Sequence, residues 1–118
     1  MSSPVQRKVG AIFIPVKDIE FARNWYSKLL GIVPDGEIIG GHLYVIPIEG
    51  GTNIVLDSKI YSKRVIRDEP LFHFNTENIE EAYQFMREKG IHIIGDIEHG
   101  HYFNFKDPDG NVMMVSRC

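Results

Sequence analysis

Five histidines and a scatter of amides and phenols are the side chains here that could do chemistry. His73 stands in LFHFNT, where alternation puts Leu71, His73 and Asn75 on one side of a strand. An imidazole there can donate a hydrogen bond to a ligand or act as a general base. The plainer reading is a partly exposed strand histidine paired with Asn104 or Tyr102. His99 and His101 form HGH. An i, i+2 pair can share a metal, but His101 falls on the opposite face from Tyr102 and the glycine marks a turn, so a surface turn is expected. His42 follows a Gly-Gly turn and His92 starts a strand; neither has a recognisable acid or nucleophile partner. There is no GxSxG elbow, no cysteine near a histidine in sequence and no glycine-rich phosphate loop. DPDGN, residues 107–111, is a turn whose glycine and asparagine suit tight backbone geometry, and not an acid pair.

The elements that must position these groups follow from periodicity. KVGAIFIPV is a β-branched, apolar run and predicts a strand. Asp18 then caps a helix, with Glu20 in its first turn, where the helix dipole favours an acid. Phe21, Ala22, Trp25, Tyr26, Leu29 and Leu30 recur at helical spacing, and Gly31 ends the helix. EIIG, HLYVIPI and TNIVLDS read as three short strands separated by glycine turns. Residues 58–69, SKIYSKRVIRDE, are charged, run into Pro70 and predict a connector. The order then restarts. LFHFNT is a strand, Asn78 caps a helix carrying Ile79, Ala82, Tyr83 and Met86, and Gly90 ends it. IHIIGDI, HYFNFK and NVMMVS are three more strands. The chain therefore reads as a βαβββ unit written twice. PVKDIEFARNW against NTENIEEAYQF matches Ile19 with Ile79, Ala22 with Ala82, and the caps Asp18 and Asn78.

Alternation splits each strand into two faces. Ile12, Ile14, Val16, Ile54, Leu56, Phe72, Phe74, Phe103, Phe105, Met113 and Val115 are all apolar and should pack under the helices. The opposite set is mixed: Ala11, Phe13, Pro15, Asn53, Val55, Asp57, Leu71, His73, Asn75, Tyr102, Asn104, Lys106, Val112, Met114 and Ser116. A mixed face can be wet, or it can line a binding surface with an apolar wall and a few placed polar groups. Phe13, Val55, Leu71 and Met114 are too apolar for a comfortable wet face. Asp57 and Lys106, at strand ends, read as rim charges.

GAIFIPVKDIEFARNWYSKLLGI, the second strand–helix pair and the closing FKDPDGNVMMV together resemble the vicinal oxygen chelate superfamily. It includes glyoxalase I, bleomycin-resistance proteins and extradiol dioxygenases. The resemblance covers about residues 9–117. It implies an α+β fold, two βαβββ modules forming a curved mixed sheet with a concave cup, helices on the convex face. It would make residues 1–118 a single domain, with module one at about 9–57, the connector at 58–69 and module two at about 70–117. In the fosfomycin-resistance branch, the places matching Tyr102 and Asn104 hold hydroxyl side chains that touch substrate. The resemblance also implies a divalent metal, held by His or Gln on the first strand of a module and Glu or His on the last. Carried over by spacing, those places hold Ala11, Val55, Leu71 and Met114. Three have no lone pair to give, and a thioether is a soft donor. No metal and no other cofactor is expected.

The expected function is therefore binding or sequestering an apolar or aromatic small molecule in the cup, with Phe13, Asn53, Val55, Leu71, His73, Tyr102, Asn104 and Met114 as its ligand contacts. The alternative is a metal-independent lyase or isomerase, with His73 as acid/base and Asn104 or Tyr102 holding an oxyanion. A degenerate domain kept for protein–protein contact is a third possibility. The 118 residues are 43% hydrophobic and 25% charged with a net charge of −3, so neither nucleic acid nor an anionic membrane is an expected partner. A homodimer is expected, because sheet edges need covering and the family pairs its modules across a two-fold axis. The single cysteine, Cys118, and a start without a signal-like apolar stretch point to the cytoplasm.

Overall fold

A computed structural model describes residues 3–62 and 69–117 of the chain. Residues 63–68 of the expected connector, Lys63, Arg64 and Arg67 among them, lie outside the described residues. The contacts divide the chain into two units, Met1–Ser62 and Lys63–Cys118. No helix among the described residues is long and apolar enough to cross a membrane.

The first unit runs β1 (Ala11–Pro15), α1 (Ile19–Leu30), β2 (Leu43–Ile46) and β3 (Asn53–Asp57). Its sheet has the order β1-β3-β2, with β1 parallel to β3 and β2 antiparallel to it. The helix starts where expected: the Asp18 carboxylate accepts from the backbone N–H of Glu20 and of Phe21, each at 3.1 Å. This satisfies two of the donors that a helix start leaves unpaired. It stops at Gly31, whose φ of 68° is the left-handed conformation that glycine adopts without strain, and Ile32 N–H returns to Ser27 C=O at 2.9 Å. Ala22, Tyr26 and Leu29 from α1 are buried, as are Ile14, Tyr44, Ile46, Ile54 and Leu56 from the strands. Full burial of each larger aliphatic chain contributes about 1.5–3 kcal/mol. Phe21, expected on the buried stripe, is 56% exposed. The helix needs only a narrow apolar face to cover a three-stranded sheet, and Phe21 lies beside it.

EIIG does not become a strand. It contributes one bridge, Ile39 to Leu43. Gly40 and Gly41, at φ 58° and 76°, turn the chain back at once. Upstream, Pro34 has no N–H to give a ladder. Gly36 lies so close to Tyr44 that a Cβ there would come within 2.7 Å of the ring.

The second unit runs β4 (His73–Thr76), α2 (Ile79–Glu88), β5 (His92–Glu98), β6 (Tyr102–Lys106) and β7 (Val112–Arg117). Its sheet has the order β4-β7-β6-β5; β4 and β7 are parallel and the other pairs antiparallel. Asn78 caps α2 by accepting from Glu81 N–H at 3.1 Å, and Gly90, at φ 72°, ends it. One face of the sheet is aromatic. Phe103, Phe105 and Met113 are fully buried. Phe74 stacks on Phe105 with centroids 6.5 Å apart, and Tyr83 of α2 meets Phe103 edge-on at 5.2 Å. His99 and Gly100, both at positive φ, begin the three-residue connection from β5 to β6, and His101 N–H donates to Glu98 C=O at 2.9 Å. HGH is thus a hairpin turn, as the sequence predicts.

The DPDGN turn joins β6 to β7 through a buried side chain. Asp107 Oδ1 accepts from the N–H groups of Asp109 and Asn111, both at 2.9 Å, and the Asn111 amide donates to Asp107 Oδ2 at 2.8 Å. Gly110 at φ 86° completes the reversal. Each bond to the carboxylate is charge-assisted, so the turn is held by its own side chains.

Candidate functional site

Strand register turns the mixed face of each unit into rows that run across the sheet. In the second unit the central row is His73, Met114, Asn104 and Ile94, in strand order β4-β7-β6-β5. One neighbouring row is Asn75, Ser116, Tyr102 and Glu98, and Val112, Lys106 and His92 pair across the other. Leu71 lies just before β4 and extends that last row through Leu71 N–H to Val112 C=O at 2.9 Å. In the first unit the central row is Phe13, Val55 and Val45, with Asn53 beside Ala11 in the next row.

Neighbouring strands lie about 4.8 Å apart, so His73 and Asn104 are separated by about 10 Å, with Met114 between them. His73 therefore does not pair with Asn104 or Tyr102, as the plainer reading of the sequence supposes, because β7 intervenes. It is exposed, and its neighbour in the row is a thioether, which cannot orient an imidazole as a carboxylate does. Met114 is half-buried, and Asn104 is half-buried with its Oδ1 shut away and unpaired among the described residues. Tyr102 faces Glu98 across the hairpin. The Glu98 charge, and then its acceptance of the phenol's hydrogen bond, hold the Tyr102 pKa above its ordinary value. That phenol stays protonated and acts as a donor rather than a base.

Phe13 is 53% exposed and Val45 40%, while Val55 between them is buried. Neither mixed face is uniformly wet: Asp57 in the first unit, and Val112 and Ser116 in the second, are buried as well. Two lining residues escaped sequence reasoning. Val45 sits in HLYVIPI, which can be phased only by its pairing with β3. Ile94 precedes Gly95, at φ 72°, and the register shifts between Ile94 and Glu98. That bulge breaks the alternation from which a face could be read.

Two small α+β units, each with a parallel first and last strand and one helix, define the class of protein. The family model Glyoxalase/Bleomycin resistance protein/Dioxygenase superfamily matches residues 8–115, and the chain belongs to that superfamily. It is 25% identical over 120 residues to the uncharacterized protein YetH of Bacillus subtilis (strain 168), covering 92% of this chain and 97% of that one. Among solved structures, it resembles TnmS3, an antibiotic binding protein from Streptomyces sp. CB03234, with a TM-score of 0.74 and 21% identity over 98% of both chains. A glyoxalase/dioxygenase from Nostoc punctiforme gives a TM-score of 0.72 at 20% identity, over 99% of this chain and 97% of that one.

The superfamily's metal does not fit the residues at its expected places. Ala11 and Val55 share one face of the first sheet, and Leu71 and Met114 one face of the second, in the same diagonal relation. The positions correspond, but the donors do not: alkyl groups cannot ligate, and a lone thioether suits neither a hard nor a borderline dication. Among the described residues, no group of three or more His, Cys, Asp or Glu side chains could hold an ion.

Proposed function

We propose that this protein binds a flat, largely apolar small molecule on the mixed face of the second sheet, without a metal. The observation that carries this reading is the row itself. Met114 is a pliable apolar floor set between two polar groups, His73 and Asn104, about 10 Å apart. A molecule of roughly two fused rings lies over the thioether and reaches a polar group at either end. Leu71 and Tyr102 flank it from the adjoining rows. In the first unit, Phe13, Val55 and Asn53 form the corresponding apolar-and-amide surface. An antibiotic binding protein with the same fold supports binding, rather than turnover, as the use of such a face. The protein acts in the cytoplasm on this reading, its single cysteine placing no demand on an oxidising compartment.

A thermal-shift screen of aromatic compounds supplies a ligand, and calorimetry with variants tests the site. Met114→Glu places a carboxylate in the floor and is expected to abolish binding of an apolar ring. His73→Ala is expected to weaken it by about 0.5–1.5 kcal/mol, the worth of one neutral hydrogen bond. If both variants bind the best compound as tightly as the parent, the face is not its site.

The protein is also proposed to be a homodimer. β1 and β2 end the first sheet and β4 and β5 the second, so each sheet has two edge strands of its own. Light scattering at micromolar concentration should give twice the chain mass; a monomer would end the proposal.

A further inference from the structure

On the open face of the second sheet, the inner strand β6 carries three hydrogen-bond donors at alternate positions: the Tyr102 phenol, the Asn104 amide and the Lys106 ammonium. Tyr102 already faces a carboxylate, that of Glu98. The other two donors have no acceptor. Asn104 Oδ1 is buried and unpaired, while Nδ2 is neither buried nor hydrogen-bonded among the described residues, so the amide turns its N–H2 to the open side. Its neighbours in the row, Met114 and Ile94, cannot pair it. Turning the amide over would bury two unpaired donors in place of one acceptor, so the outward group stays a donor. Lys106 is half-buried, and Val112 and His92, which pair with it across the sheet, carry no carboxylate. Its ammonium makes no ion pair or hydrogen bond among the described residues. The acids of β5 are engaged elsewhere: Asp96 accepts from Tyr83 of α2 at 3.5 Å, and Glu98 stands two rows away beside Tyr102.

We propose that the open face of the second sheet takes a planar aromatic carboxylate, its ring over Met114 and its carboxylate held between the Asn104 N–H2 and the Lys106 ammonium. This rests on the reading of that face as a binding surface and names the chemical class of its ligand. Asn104 and Lys106 are two residues apart on one strand, about 7 Å between their Cα atoms. The lysine stem is long enough to bring its ammonium to one carboxylate oxygen while the amide donates to the other. A carboxylate accepts at both oxygens and carries the charge that the ammonium lacks a partner for, so both bonds are made with an ionised acceptor. A neutral ring with a carbonyl at the same edge satisfies the amide alone.

The test uses 2-naphthoate and its methyl ester, which share a ring system and a carbonyl and differ in charge. Two-dimensional NMR of the full isotope-labelled chain at neutral pH follows the backbone amides of His73, Asn104 and Met114 during titration with each probe. At low salt the parent is expected to bind the naphthoate about tenfold or more tightly than the ester. Added salt should shrink that ratio. Lys106→Met keeps the stem and removes the charge, so the naphthoate should fall to the level of the ester, with the ester bound as by the parent. Asn104→Leu should weaken both probes. A ratio near one in the parent, one indifferent to salt, one that survives in Lys106→Met, or unchanged binding of both probes by Asn104→Leu overturns the carboxylate assignment and leaves the binding face standing. If neither probe moves those amides, both the assignment and the binding face fall.

Discussion

Where the first unit carries Phe13, Val55 and Val45 across its sheet, the second carries His73, Met114 and Asn104. The plan beneath is common to both. Tyr44 on β2 and Phe103 on β6 occupy corresponding places, and both are buried. Gly36 and Gly95 stand at matching positions upstream of the hairpin turn. The turns themselves correspond: Ile39, Gly40, Gly41, His42 and Leu43 against Glu98, His99, Gly100, His101 and Tyr102, each with its fourth residue's N–H donating to the first residue's C=O, at 3.2 Å and 2.9 Å. The packing side has thus been held while the other side has diverged. In one unit it became aliphatic and aromatic, in the other amide, imidazole and thioether. A sheet needs only one apolar face to fold against its helix, so the second is free to vary with what it meets.

The comparison is tested most strongly in the two cores. Tyr44→Ala and Phe103→Ala should each destabilise the chain by about 3–5 kcal/mol in urea denaturation, if the two aromatics do equivalent jobs. A loss below about 1 kcal/mol for either would end the equivalence.

The helix caps should differ in a graded way. Asp18 accepts from two backbone N–H groups and carries a full charge at the positive end of α1; Asn78 accepts from one. Asp18→Ala is expected to cost about 1–2 kcal/mol and Asn78→Ala about 0.5–1 kcal/mol, read by the same denaturation. Equal costs would show that the second bond and the charge add nothing.

The smallest effect belongs to the polar row of the second sheet. The Tyr102 pKa is raised in the folded protein, so the stability it adds is fully present below the ordinary tyrosine value and is lost as pH climbs through the raised one. Glu98→Gln removes the charge and should bring the phenol's ultraviolet titration down toward the ordinary value. An unchanged titration would show that another group sets it.

Much of this arrangement was legible in the residues. Asp18 and Asn78 announce their helices, Gly31 and Gly90 end them, and the alternation of Phe103, Phe105, Met113 and Val115 names the packed face. The missed features share a cause: each depends on a partner distant in sequence. EIIG has the letters of a strand, but Pro34 and the Tyr44 ring against Gly36 deny it a ladder. Ile94 joins the central row only because β5 slips its register past Gly95. That the Asn104 oxygen is shut away follows from its surroundings, and no periodicity contains them.

The DPDGN turn has a further consequence for the strand that follows it. Val112, Met113, Met114 and Val115 read nearly the same forwards and backwards. A shift by one residue would trade one methionine for the other, so hydrophobic pattern alone guards this strand poorly. The loop serves as a ruler instead. By clasping Asn111 and the N–H of Asp109, the Asp107 carboxylate sets how much chain separates Lys106 from Val112, which face each other across the hairpin. One inserted residue there would turn the strand over, sending Met113 outward to the place beside His73 and Met114 inward to the place of Val115. The composition of both faces is therefore written in the length of a loop that belongs to neither.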